Sequence, residues 1–121
     1  MTRRLLLVAI GGAVGTLGRY GIAELMDSGS SWPSATFAVN IVGSFLLGVL
    51  AARVTDASDP RRLLLGTGVL GGFTTYSAFA VETDLLLRDG DQMIGLLYPV
   101  ASVALGFVAA VVGLIVGRRP A

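Results

Sequence analysis

Gly68-Val69-Leu70-Gly71-Gly72-Phe73-Thr74-Thr75-Tyr76-Ser77-Ala78-Phe79 decides how this chain is read. It lies inside an apolar run long enough to cross a bilayer, yet a glycine pair followed by a threonine pair is a poor way to write an uninterrupted helix. The stretch predicts a broken helix around Gly71 to Thr75. Backbone that leaves the helical ladder at membrane depth exposes carbonyl and amide groups, which only protein, water or an ion can satisfy. Such a break is a candidate ion site.

Outward from the break, the chain is uniformly apolar. Of 121 residues, 54% are hydrophobic and only 14% are charged, too few charges for an ordinary water-soluble domain. Four apolar segments, about 5–25, 34–54, 63–87 and 94–116, each reach the roughly 20 residues needed to span a hydrocarbon core of about 30 Å. Short connections carry the turn signals: Asp27 to Ser31 with Pro33, Asp56 to Pro60, and Asp89-Gly90-Asp91. The fold class expected is an all-α integral membrane protein, a single domain of four transmembrane helices with a break in the third.

Composition excludes several chemistries. With no Cys there are neither disulfides nor thiolate metal sites, and with no His the usual metal ligand and neutral-pH proton relay are missing. No pair of carboxylates is placed for acid/base work, so the chain does not read as an enzyme. A net charge of +1 gives no case for nucleic acid. Gly66-Thr67-Gly68-Val69-Leu70-Gly71 matches the dinucleotide-binding glycine string, but that motif needs a preceding strand and here it sits in a membrane span. The opening Thr2-Arg3-Arg4 before leucines reads as the basic flank of helix 1 rather than a cleaved signal.

Individual positions then stand out. Gly11 and Gly15 share a face of helix 1 and permit close helix packing. Arg19, roughly 21 Å along the helix from Leu5, either snorkels to the headgroups or faces an aqueous vestibule. Asn40 lies inside the second apolar run; we read it as functional rather than as interhelical glue, because polar groups in such spans mark pathways. Tyr76 and Phe79 share a helix face. Glu82 is a carboxylate within the third span, expected to pair with Arg19 near the outer end. In helix 4, Tyr98-Pro99 reads as a helix start, followed at four-residue intervals by Ser102 and Gly106.

Three stretches together resemble the Fluc (CrcB) fluoride channels: Gly11-Gly12 to Gly15 through Arg19-Tyr20, Val39-Asn40 to Gly43-Ser44-Phe45, and Gly71-Gly72-Phe73-Thr74-Thr75-Tyr76-Ser77. The resemblance covers essentially the whole chain. It implies export of cytoplasmic fluoride by passive electrodiffusion through an antiparallel dimer with two pores, and a structural sodium ion at the dimer centre. It places the sodium on the backbone carbonyls of Gly71 and Thr74. It places the fluoride path on Asn40, Tyr76, Ser77, Phe79 and Ser102, and a vestibule arginine at Arg19. Tyr76 stands where the family usually has Phe, Ala78 where Thr is common, and Gly106 where a hydroxyl is common, so the polar track is thinner here.

All nine basic residues are arginines. With four spans, Arg3, Arg4, Arg53, Arg61, Arg62, Arg118 and Arg119 share one side, leaving Arg19 and Arg88 for the other. The positive-inside rule then places both termini in the cytoplasm, and the resemblance implies the cell membrane. This bias favours one orientation, and hence a heterodimer with an inverted paralogue, over an antiparallel homodimer. Two other readings compete: a non-conducting or one-pore subunit, and a small proton-coupled exporter. The exporter wants a carboxylate near mid-span, whereas Glu24 and Glu82 sit toward helix ends.

Overall fold

A computed structural model describes residues 1–120. The elements are α1 (Thr2–Leu25), α2 (Ser34–Arg53), a wide-turn π-helical segment (Arg62–Leu70), a single turn α3 (Gly71–Phe73), α4 (Tyr76–Asp89) and α5 (Gln92–Gly117). No strand occurs among the described residues. The π segment, α3 and α4 form one interrupted span, so four helical units are long and apolar enough to cross a membrane.

The ends of these helices follow from local chemistry. Between α1 and α2 the chain turns at Gly29, whose φ of +66° suits a residue without Cβ. In the next connection the Asp56 carboxylate accepts from the Ser58 amide and hydroxyl, both at 2.8 Å, and those bonds hold its pKa below the usual carboxylate value. Asp59 is lowered in the same sense by the Arg61 side chain, its ion-pair partner at 3.0 Å. Arg62 closes the loop by donating to the Val54 carbonyl at 2.7 Å. Asp91 caps α5, accepting from the amides of Met93 and Ile94.

That cap corrects one expectation. The last helix begins at Gln92, seven residues before Pro99, so Pro99 lies inside it rather than at its start. Asp91 offers a side-chain acceptor to the first turn, and a proline within a membrane helix is tolerated because it removes only one backbone bond.

The break is also narrower than the glycines imply. Gly71 and Gly72 remain helical in α3, and only Thr74 (φ −83°, ψ 158°) and Thr75 (φ −149°, ψ 126°) are extended. Thr74 ends the first half: its amide and its hydroxyl both donate to the Leu70 carbonyl, at 3.0 and 2.8 Å. Thr75 starts the second half, its hydroxyl accepting from the Ala78 amide at 3.2 Å. The glycines serve packing instead of breaking. A Cβ at Gly72 would fall on the Gly12 carbonyl.

Two helix pairs result, and the break links them. The π segment and α3 pack on α1, where a Cβ at Gly15 would collide with the Val69 carbonyl and one at Gly68 would lie 2.9 Å from the Gly11 Cα. On the other side α2 packs on α5, with Gly113 against the Phe45 carbonyl and Gly48 against the Ala110 carbonyl. After the break, α4 leaves α1 and lies on α5. One span thereby joins both pairs. These contacts are backbone on backbone, so no side-chain shift relieves a substitution. We expect Gly15→Val to lower the detergent-solubilised melting temperature or abolish a monodisperse peak, at a cost of about 1–3 kcal/mol or more. Gly12→Ala, whose Cβ would meet nothing within 4 Å, should leave both measurements unchanged.

Candidate functional site

Asn40 holds the break together. Its side-chain carbonyl accepts from the Thr75 amide at 2.8 Å, and its Nδ2 donates to the Thr75 carbonyl at 2.9 Å. The amide thus reproduces the two bonds that one extended strand would offer another, at the residue where helical bonding stops. Within α2 Ser44 donates to the Asn40 backbone carbonyl at 2.7 Å, and the missing side chain of Gly43 leaves room for the Thr74 methyl of the break. A primary amide has two N–H donors, and Thr75 takes one.

Arg19 serves the same segment from α1. Its Nε donates to the Gly72 carbonyl at 3.1 Å. The expected pairing with Glu82 does not occur. Glu82 instead accepts from the Thr36 hydroxyl at 2.8 Å and the Tyr98 hydroxyl at 3.0 Å, while the ion pairs among the described residues are Arg61–Asp59 and Arg88–Asp84. Geometry explains the difference. Arg19 belongs to the helix pair before the break, and Glu82 follows α4 onto α5 after it.

Taking the carbonyls around the break in turn, Leu70 is satisfied by Thr74, Gly72 by Arg19 and Thr75 by Asn40. Outside the helical ladder, no donor among the described residues reaches the carbonyls of Gly71, Phe73 or Thr74. Carbonyl oxygens without donors are hard ligands of the kind alkali cations take in broken membrane helices. No group of three or more His, Cys, Asp or Glu is gathered for a metal among the described residues. Any cation here would rest on backbone alone.

A cavity of about 380 Å³ adjoins the break, and it collects most of the residues the sequence singles out: Asn40, Gly71, Thr74, Tyr76, Phe79 and Ser102 all line it. Tyr76 and Phe79 stand with ring centroids 5.9 Å apart, tilted at 43°. Ser102 is buried at 9% exposure, and its hydroxyl has no hydrogen-bond partner. No ionisable carboxylate or guanidinium among the described residues lines the cavity. Ser77 and Arg19 do not line it either; Ser77 is exposed, with its hydroxyl 3.2 Å from that of Thr75.

Sequence reasoning missed three participants. Thr75 was legible only as half of a threonine pair, yet its hydroxyl caps α4 and its backbone receives Asn40. Ser44 lies four residues after Asn40 and borders the cavity. Tyr98, fully buried, joins Glu82 to the rings: its centroid is 5.5 Å from that of Phe79. A carboxylate and a tyrosine inside apolar spans were the available signal, but nothing in their spacing pairs them across 16 residues and two helices.

The profile of the CrcB-like protein family, described as Camphor Resistance (CrcB), matches residues 6–114. The chain belongs to this family. Among similar proteins named Fluoride-specific ion channel FluC, that of Caulobacter vibrioides is 45% identical, over 96% of this chain and 96% of its own. The counterpart from Rhizobium leguminosarum bv. trifolii is 48% identical over 93% of this chain and 94% of its own. That of Phenylobacterium zucineum is 43% identical over 95% of each. Both the four spanning helices and the family make this CrcB-like chain a multi-pass membrane protein and not an enzyme.

Two expectations follow from the geometry. Asn40→Ala strands the Thr75 amide and carbonyl together, so it should cost about 2–4 kcal/mol of stability, read as a lowered midpoint in thermal or denaturant unfolding in detergent. Arg19→Ala and Glu82→Ala touch different partners, so their effects in the same assay should add in the double mutant to within about 0.5 kcal/mol.

Proposed function

We propose that this chain is a subunit of a fluoride channel that lets the anion leave the cytoplasm passively. The observation that carries the reading is the cavity beside the break. It offers a buried unpartnered hydroxyl at Ser102, the second N–H of Asn40, and the rings of Tyr76 and Phe79. Relatives at 43–48% identity are named for fluoride. The physical fit is direct. A small anion entering an apolar span must replace its hydration with donors, and hydroxyl and amide N–H groups are donors. Aromatic rings carry positive edges, so Tyr76 and Phe79 add a second, weaker kind of contact for an anion lying in their plane. Ser77 and Arg19 act outside the cavity in this reading, Arg19 as a positive charge in the vestibule beside the break.

A structural sodium ion fits the carbonyls of Gly71 and Thr74. When bound it supplies a fixed positive charge and satisfies oxygens that membrane burial would otherwise leave unpaired. The chain's own residues prepare the place. Arg19 and Asn40 occupy the adjoining carbonyls of Gly72 and Thr75, and no side chain among the described residues competes for those of Gly71 and Thr74. Gly71 and Tyr76 are exposed in the single chain, Tyr76 at 80%, and an antiparallel partner covering this face supplies the second half of the carbonyl set.

The arginine distribution favours the heterodimeric form, with this chain inserted in the cell membrane with both termini cytoplasmic and an inverted paralogue as partner. Fluoride efflux from proteoliposomes tests the whole reading. We expect efflux with sodium present that persists with a proton uncoupler, and loss of dimer when sodium is exchanged for a bulky organic cation. Efflux that collapses with the uncoupler would point to a proton-coupled exporter. Efflux by this chain alone, with termini mapping to both sides, would replace the heterodimer by a homodimer; efflux only after adding the paralogue would support it.

Within that assay Ser102→Ala should slow efflux roughly ten- to hundredfold, the loss of one hydrogen bond to a charged group. Gly106→Ser should raise it. A Cβ there lies 3.6 Å from the hydroxyl of Ser44, which borders the cavity, so the change sets a second hydroxyl beside Ser44 and removes a helix-interior glycine without a clash.

A further inference from the structure

Trp32 is the one tryptophan of the chain and lies in the connection between α1 and α2. An aromatic residue just outside a span is ordinarily an interfacial anchor, with its ring turned to the headgroups. Here the ring turns inward. It meets Phe37 edge-on at a centroid distance of 5.3 Å and 75°, and Tyr98 at 5.4 Å and 89°. Its backbone is tied at both ends: the amide donates to the Ser30 hydroxyl at 3.3 Å, and the carbonyl accepts from the Ser34 amide at 2.8 Å. The loop is thus shaped to deliver the indole to one place.

What it covers matters more than how it is held. Tyr98 is fully buried, and its hydroxyl is committed to Glu82 at 3.0 Å. On its other side the Tyr98 ring touches Phe79 at 5.5 Å, and Phe79 touches Tyr76 at 5.9 Å, both lining the cavity beside the break. Four rings from two helices and a loop therefore run continuously from the α1–α2 connection to the cavity. Trp32 and Glu82 also border a second, polar cavity of about 220 Å³ lined with the loop's serines. Without the indole that polar cavity opens onto the Tyr98 ring, and no other ring among the described residues holds Tyr98 toward Phe79 from the loop side.

We infer that Trp32 is a positioning residue for the anion path: as a lid over Tyr98 it fixes the Phe79 ring whose edge the anion uses. Fixed geometry counts because ring edges attract an anion only in the plane of the ring, and a ring free to tilt presents its repulsive face part of the time. This assignment rests on the fluoride-channel reading, and the two fail differently.

The test uses the full chain in its purified assembly. Trp32→Ala should slow fluoride efflux from proteoliposomes by about tenfold, as two edge-to-face contacts are lost, while Trp32→Phe should stay within roughly threefold of the unaltered chain. A merely structural tryptophan does not report on the anion, so emission supplies the second readout. Fluoride titrated into the unaltered protein should shift the emission of Trp32, taken as the difference from the Trp32→Phe assembly, chloride at equal ionic strength should not, and Phe79→Leu should abolish the shift. Trp32→Ala efflux equal to the unaltered rate, or emission indifferent to fluoride in a chain that conducts it, overturns the lid. Absence of fluoride efflux from the unaltered assembly overturns the channel reading itself. Should Trp32→Ala fail to assemble, the titration alone decides.

Discussion

The pair of hydrogen bonds between the Asn40 side chain and the Thr75 backbone is the constraint on which the rest depends. Two extended residues at membrane depth expose amides and carbonyls to a solvent that returns no bonds. A single primary amide, donor and acceptor on one plane, satisfies both groups of Thr75 at once. Without it the third span has no stable way to stop and restart. With it, the span's first half can pack on α1 and its second half on α5.

From that constraint the division of labour around the break follows. Thr74 returns its own amide and hydroxyl to Leu70, Arg19 reaches across from α1 to Gly72, and Asn40 takes Thr75. The carbonyls of Gly71 and Thr74 take no bond from outside the helical ladder among the described residues. An arginine on one helix and an asparagine on another thus both bond the backbone around the break. The same break brings Phe79 beside Tyr98, because α4 emerges onto α5 instead of continuing along α1.

Much of this was legible in the residues. Four apolar runs gave the four spans, and the Gly71 to Thr75 stretch marked the interruption. The finer grain was not. Glycines were read as helix breakers, yet Gly72 remains helical and serves the approach of the Gly12 backbone. Propensity cannot distinguish a glycine that breaks from one that packs, since both reasons select the same residue. Pro99 misled for a related reason: proline favours a first turn, but Asp91 had already started the helix. Arg19 and Glu82 looked like partners because depth in the membrane can be counted along the chain, while azimuth around the bundle cannot.

The sequence by itself therefore determined what is one-dimensional here: which stretches are apolar enough to span, where the third is interrupted, and the one-sided arginines. It also placed the chain in its family, through motifs spread over three helices. Tertiary structure alone decided which polar groups meet. Asn40 with Thr75, Arg19 with Gly72, Glu82 with Thr36 and Tyr98, and Trp32 with Tyr98 all join different elements. Such pairings depend on helix rotation and on the direction α4 takes after the break. Both are set by packing between glycine-lined faces, which no count along the chain contains.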